Sequence, residues 1–236
     1  MKRLFRPVVL ALLIAVLLVS CKTVDSQADL TDEQYDYALH LVLDQAQEQA
    51  ISDLFKQLNE FREPMIPSQY SGIEETKGRA PGLEHLVKQW FEVSSLAVLQ
   101  LFGYFSDYAG TIKDRIVFRD PRSLAEAGDT SISLYYRSLF RDELLEVIYD
   151  SIHDWDYSVW TQCVIQYNAW ASTRNLLYDE DNDILEATSD ADKLARLFSE
   201  HLTERFFEHL GTAEALIRTT PDPDMDPVLA VVLGLV

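Results

Sequence analysis

The chain has 236 residues, with 39 Asp and Glu against 20 Lys and Arg, a formal net charge of −19. A surface of that sign repels phosphate backbones and anionic headgroups, so nucleic acid is excluded as a partner. It suits basic partners or divalent cations, or plain solvation.

In chain order, the first signal is one of export. Lys2, Arg3 and Arg6 precede an uninterrupted apolar run from Val8 to Val19. Twelve residues fall short of the roughly 20 needed to span a bilayer core, so the run reads as the apolar segment of a signal peptide. Leu18-Val19-Ser20-Cys21 closes it and resembles the lipobox of bacterial lipoprotein signal peptides. The resemblance implies that residues 1–20 are removed and that Cys21 becomes the acylated first residue. Two or three acyl chains there would hold the protein on a membrane almost permanently. Lys22 stands where many enteric lipoproteins retained at the inner membrane carry aspartate, which favours the periplasmic face of the outer membrane. Residues 21–30 read as lipidated N-terminus and polar tether, and residues 31–236 as the folded domain.

Removing 20 residues leaves 216, enough for one domain with a sizeable core. Loss of Lys2, Arg3 and Arg6 takes the basic residues from 20 to 17 against 39 acids, a net charge of −22. With Cys21 carrying lipid, Cys163 has no disulfide partner. Among Val159, Trp160, Val164 and Tyr167 it reads as a small buried thiol.

The periodicity of the folded part is helical almost throughout. Tyr35, Leu39, Val42, Ala46, Ala50, Leu54, Leu58 and Phe61 make one stripe on a long helix, and Thr31 with Gln34 forms a capping box at its start. Pro64, Pro67, Gly72, Gly78, Pro81 and Gly82 mark an irregular connection. A second helix is predicted over 83–105, with Leu86, Val87, Trp90, Phe91, Leu96, Leu99 and Phe102 as its apolar set; that wide coverage suggests a central position. Asp120-Pro121 starts a short helical turn that Gly128-Asp129 ends, and Asp129 to Ser131 stand ready to cap the next helix, 132–153. There Tyr136, Leu139, Phe140, Leu144, Val147 and Ile148 keep the 3.6-residue period. Trp160, Cys163, Val164, Tyr167, Ala171 and Leu177 share one face of a helix over 157–178. Another helix spans 190–210, and an apolar tail, 228–236, follows Pro221-Asp222-Pro223-Asp224. Eight glycines and eight prolines, mostly at these breaks, fit an all-α single bundle of about six or seven helices.

Four stretches resemble a bacterial family of exported or lipid-anchored helical proteins, the domain of unknown function 4197. They are Leu30 to Leu58 with Glu48-Gln49-Ala50-Ile51; Gly82-Leu83-Glu84-His85-Leu86-Val87; Gly128-Asp129-Thr130 with Tyr135-Tyr136-Arg137 and Arg141-Asp142-Glu143-Leu144; and Thr203-Glu204, Ala213-Glu214, Ile217-Arg218, Pro221 and Leu233-Gly234. The chain departs from the family pattern in being more acidic and in lacking the basic residues of its C-terminal tail. The family has no established activity, so the resemblance implies a helical envelope protein and no catalytic residue.

Candidate chemistry therefore rests on the residues themselves. Asp179, Asp181, Asp183 and Asp190 imitate a calcium loop, yet Ile184 takes the place of the turn glycine, and Asp190 is shorter than the usual bidentate Glu. A solvated interhelical loop is the favoured reading, and no resident metal or other cofactor is expected. Asp222, Asp224 and Asp226 read as a stiff acidic spacer. His201, Glu204, Glu208 and His209 share a helix surface without Glu-x-x-His or zincin spacing, and His153 with Asp150, Asp154 and Asp156 reads as a helix-terminal acidic cluster. Trp155, Trp160, Tyr167 and Trp170 would suit sugar stacking, but their helical spacing assigns most of them to the core. For Arg137 an ion pair with the acidic surface is favoured over a hold on an anionic ligand.

No Gly-rich phosphate loop, Gly-x-Ser-x-Gly elbow or Cys/His nucleophile pair occurs. The expectation is a non-enzymatic, lipid-anchored envelope module that presents an acidic surface to a protein partner. The alternative, resting on 47% hydrophobic composition and aromatic helices, is a bundle that carries a small hydrophobic ligand or lipid.

Overall fold

Eight α-helices and one 3-10 turn make up the described residues, 30–59 and 66–235 of the computed structural model, and no strand occurs among them. Cys21, the tether, Phe61 and Pro64 lie outside those residues, as do the side chains of Leu58, Leu96 and Leu99. The helices are α1 (Asp32–Asn59), α2 (Ser71–Thr76), α3 (Leu83–Lys113), α4 (Pro121–Glu126), α5 (Ser131–Ile152), α6 (Ser158–Tyr178), α7 (Ala191–Thr219) and α8 (Pro227–Val232); the 3-10 turn is Ser68–Tyr70.

Helix α1 starts at the expected capping box. The backbone N–H of Thr31 donates to Gln34 Oε1 at 2.9 Å, and that of Gln34 donates to Thr31 Oγ1 at 3.4 Å. Beside the predicted stripe it buries a second row, Ala38, Leu43, Gln47, Ile51 and Phe55. With two buried rows and alanine where neighbours come close, α1 packs against α7, α3, α4, α8 and α5. Helix α1 is therefore central to the bundle, and α3, which packs against α1, α6, α5 and α2, also holds the central position its wide apolar coverage suggested.

Helix α3 runs eight residues past its expected end, because Ala109 and Ile112 continue the buried row. That row is Leu83, Val87, Trp90, Ser94, Val98, Leu101, Phe105, Ala109 and Ile112, spaced by threes and fours. Ser94, polar yet buried, hides its phase from a count of apolar residues. Phe102, assigned to the core from sequence, is 39% exposed and instead lies edge-on to Phe55 at 4.6 Å.

Two further corrections concern the breaks. Part of the expected irregular connection folds as the 3-10 turn and α2, where Ile73 is fully buried. Gly72 lets α2 lie against α6, since a Cβ there would sit 2.9 Å from Tyr167 Oη. Helix α7 is nine residues longer than predicted and absorbs the segment through Arg218. Gly211, in its middle, marks where α7 passes the Thr130 side chain rather than an end. The short helix α4 carries its expected signal, Asp120 accepting from Ser123 N at 3.0 Å with Pro121 behind it; Asp226, expected in a stiff acidic spacer, instead caps α8 by accepting from Val228 N at 2.8 Å with Pro227 behind it.

The aromatic heart joins α3, α6 and α7. Phe198 lies 5.0 Å from Trp90, 5.2 Å from Trp160 and 5.7 Å from Tyr157, centroid to centroid. Trp160 in turn meets Tyr70 edge-on at 5.2 Å. Trp160 and Tyr167 are thus core residues, and Trp155 and Trp170 are half-buried against the same cluster.

Candidate functional site

Helices α5 and α7 run antiparallel, and polar pairs close the seam between them at regular intervals. Tyr149 Oη donates to Asp192 at 3.2 Å, Arg196 donates to Glu146 at 2.7 Å, and Arg141 Nε donates to Glu204 at 2.8 Å. Arg137 shares the same Glu204 carboxylate, so the ion-pair reading of this arginine holds.

At the inner end of the seam the pairing becomes fully buried. Glu214 is 0% exposed, and its carboxylate accepts from Ile132 N at 3.0 Å, Ser133 N at 2.7 Å, Ser133 Oγ at 2.6 Å and Arg218 Nε at 2.9 Å. Arg218 also donates to the Ala125 carbonyl at 2.7 Å and to Ser131 Oγ at 2.9 Å. Ile132 and Ser133 hold the second and third positions of α5, whose N–H groups an N-cap side chain ordinarily satisfies. The expected local cap is absent: Thr130 occupies the N-cap position and makes no side-chain cap bond. A carboxylate from α7 replaces it, and the positive end of the α5 dipole favours that charge. Arg137 and Arg141 with Glu204, and Arg218 with Glu214, are thus structural pairs of this one seam, and Thr130 enters it beside Gly211.

The acidic segment between α6 and α7 is organised by a different device. Thr161 Oγ1 donates to the Thr188 carbonyl at 3.1 Å. Asn168 donates to the Leu185 carbonyl and accepts from its N–H, both at 2.8 Å, and Asn175 makes the same pair of 2.8 Å bonds with Asn182. The helix positions are seven apart and the loop positions three apart. Seven helical residues rise about 10.5 Å and three extended ones span about 10 Å, so the rungs stay in register. Residues 179–190 therefore lie as an antiparallel strap along α6. Arg174 and Asn182 hold the Glu180 carboxyl below its usual range. Around the strap Asp179, Asp181 and Asp183 face solvent, beside exposed Leu176, Leu177, Tyr178 and Ile184.

This arrangement separates the candidate calcium ligands. Asp179 ends α6 with a left-handed φ of 53°, while Asp190 caps α7 by accepting from Lys193 N at 3.2 Å. Among the described residues no group of three His, Cys, Asp or Glu side chains is placed to hold a metal ion. Of the other sequence candidates, Glu208 pairs with Arg205, and His153 bridges the Asp150 carbonyl and the Asp154 carboxylate. Asp222 braces its own turn by accepting from Asp224 N at 2.8 Å. Cys163 is fully buried, and burial pushes its thiol up to about 12, so it is not a nucleophile at neutral pH. The strap went unread in the sequence, although Thr161, Asn168 and Asn175 at seven-residue intervals on one helix were the available signal.

Truncating a rung tests the strap. Asn168→Ala leaves the Leu185 N–H and carbonyl without their partner, and a loss of about 1–3 kcal/mol is expected. Cleavage within 179–190 should accelerate under limited proteolysis. Unchanged urea unfolding and unchanged cleavage would remove the strap as an ordered element.

No protein-family model, no curated protein and no solved structure matches the chain. No helix among the described residues is long and apolar enough to cross a membrane.

Proposed function

We propose that this protein is a lipid-anchored, non-enzymatic module of the bacterial cell envelope, which offers the strap and the end of α6 to a basic, partly apolar protein surface. The observation that carries the interaction is the strap itself. Its ladder holds Asp183 between two rungs, and the turn that enters the first rung presents Asp179 and Asp181, beside four exposed apolar side chains. An apolar patch rimmed by charge is the usual composition of a docking surface. Anchoring rests on Leu18-Val19-Ser20-Cys21. The first buried residue among those described is Leu30, and eight residues, 22–29, separate it from the acylation site. Fully extended, they reach at most about 26–29 Å, which keeps the domain close to the bilayer.

Likeness to the domain of unknown function 4197 supports the envelope setting through the stretches named above. The carrier alternative draws less support, since aromatic rings fill the space between α3, α6 and α7.

Cys21→Ser is expected to abolish fatty-acid incorporation and to release the protein from the membrane or leave it unprocessed. Unchanged membrane partition with no incorporated fatty acid sinks the anchoring. For the docking surface, a photo-crosslinking side chain at position 184 in intact cells should give discrete adducts that one at position 126 on α4 does not. Equal labelling from both sites removes the strap as the contact.

A further inference from the structure

Between α1 and α3 runs an open groove of about 830 Å³. On its α3 side Ser106 and Gly110 are small, and a Cβ added at Gly110 would meet no neighbouring atom within 4 Å. Its floor holds Gln47, a 5% exposed residue whose Oε1 has no hydrogen-bond partner. A buried acceptor of that kind is costly unless something donates to it. One end is formed by the Phe55–Phe102 pair, whose outer ring is partly exposed.

The rim of α1 supplies the charge pattern. Asp44, Glu48, Ser52 and Lys56 follow one another at four-residue intervals along the groove, and the last three are exposed. Asp44 is paired with Lys113 across the groove at 2.9 Å, which leaves Glu48 as the acid and Lys56 as the base on either side of a small hydroxyl. Two such rims laid antiparallel with Ser52 on the two-fold axis place Glu48 of each copy against Lys56 of the other. Symmetry makes every favourable contact occur twice. The small residues on α3 and at Ser52 let the two helix pairs approach as a four-helix layer.

From this self-complementarity we infer that the α1–α3 face is a two-fold interface between copies of this chain. The high net negative charge opposes any such association, so a pairing that depends on Lys56 meeting Glu48 is specific rather than adhesive.

The full chain carrying Ser52→Cys together with Cys21→Ser tests this in whole cells; with the Cys21 thiol removed from every variant, the outcome does not depend on whether that residue is acylated. Cys163 is buried and does not compete for thiol reagents. A short bis-maleimide should link Ser52→Cys into a dimer, whereas Ser138→Cys, exposed on α5, should remain monomeric. Adding Lys56→Glu turns two attractions into two repulsions and should reduce the linked dimer several-fold, up to about tenfold. Adding Glu48→Lys to that variant should restore it. A dimer yield from Ser52→Cys no greater than that from Ser138→Cys overturns the inference, as does an undiminished yield in the Lys56→Glu variant. Occupation of the groove by a small molecule or a different protein would appear as the first of these outcomes.

Discussion

Glu214→Ala is expected to remove about 3–5 kcal/mol of unfolding free energy, the penalty typical of stranding one partner of a buried ion pair. Four interactions are lost at this carboxylate, one of them from Ser133 Oγ. Arg218, 8% exposed, keeps its charge without its anion, and the N–H groups of Ile132 and Ser133 lose their acceptor. A domain of this size has about 5–15 kcal/mol in total, so the variant should sit near the edge of folding. Urea denaturation followed by far-ultraviolet dichroism, on protein lacking residues 1–21, gives the measurement. Replacing both partners, Glu214→Leu with Arg218→Met, should recover part of the loss, because no isolated charge then remains buried. Glu204→Ala, at the half-exposed part of the same seam, should cost about 1 kcal/mol or less. Equal losses at 204 and 214 would show that burial does not separate the two pairs.

Phe198→Ala should cost about 3–5 kcal/mol, the range for deleting a fully buried aromatic ring. Its ring meets Trp90, Tyr157 and Trp160, so the vacancy opens between three large groups that cannot collapse together. Phe198→Leu leaves less empty volume and should cost markedly less. Thermal unfolding ranks the variants, and tryptophan emission reports the same site directly, since Trp90 and Trp160 both touch the ring. An alanine variant as stable as the leucine variant would mean that the heart of the bundle closes over the gap.

What the sequence disclosed was whatever its own neighbours determine. The Thr31–Gln34 capping box, the Asp-Pro start of α4, the stripe of α1 and that of α6 as far as Ala171 all involve residues within a turn or two of each other, whereas Leu177, placed on the same face of α6, is 66% exposed, and Asp226, read as part of a spacer, caps α8. Helix α3 was misread for a physical reason: Ser94 sits in its buried row, and Phe102 offers a large apolar side chain just off it. The glycines misled in both directions. Gly211 stands inside a helix, where an added Cβ would meet Thr130 at an ordinary contact distance of 3.6 Å, and Gly72 belongs to a helix pressed on Tyr167. The cap of α5 lay beyond reach, since its acceptor is some eighty residues away and nothing near Thr130 announces it. Glu214 and Arg218, four apart on an otherwise core-facing surface, were a hint that a buried pair needed a third participant. On the functional side, the aspartates of the α6–α7 connection were legible as a group, but their support was not. That support comes from uncharged side chains on the preceding helix.

The three rungs on α6 also act as a ruler for the chain that crosses them. Between Asn182 and Leu185, and again between Leu185 and Thr188, the number of residues is fixed by the pitch of a helix, so one added residue puts a rung out of step. Between Tyr178 and Asn182, where the chain turns before the first rung, no such match is required. Length can therefore vary at the turn while the side chains presented along the edge keep their spacing. A connection without regular secondary structure has thereby acquired the positional accuracy of the helix beneath it.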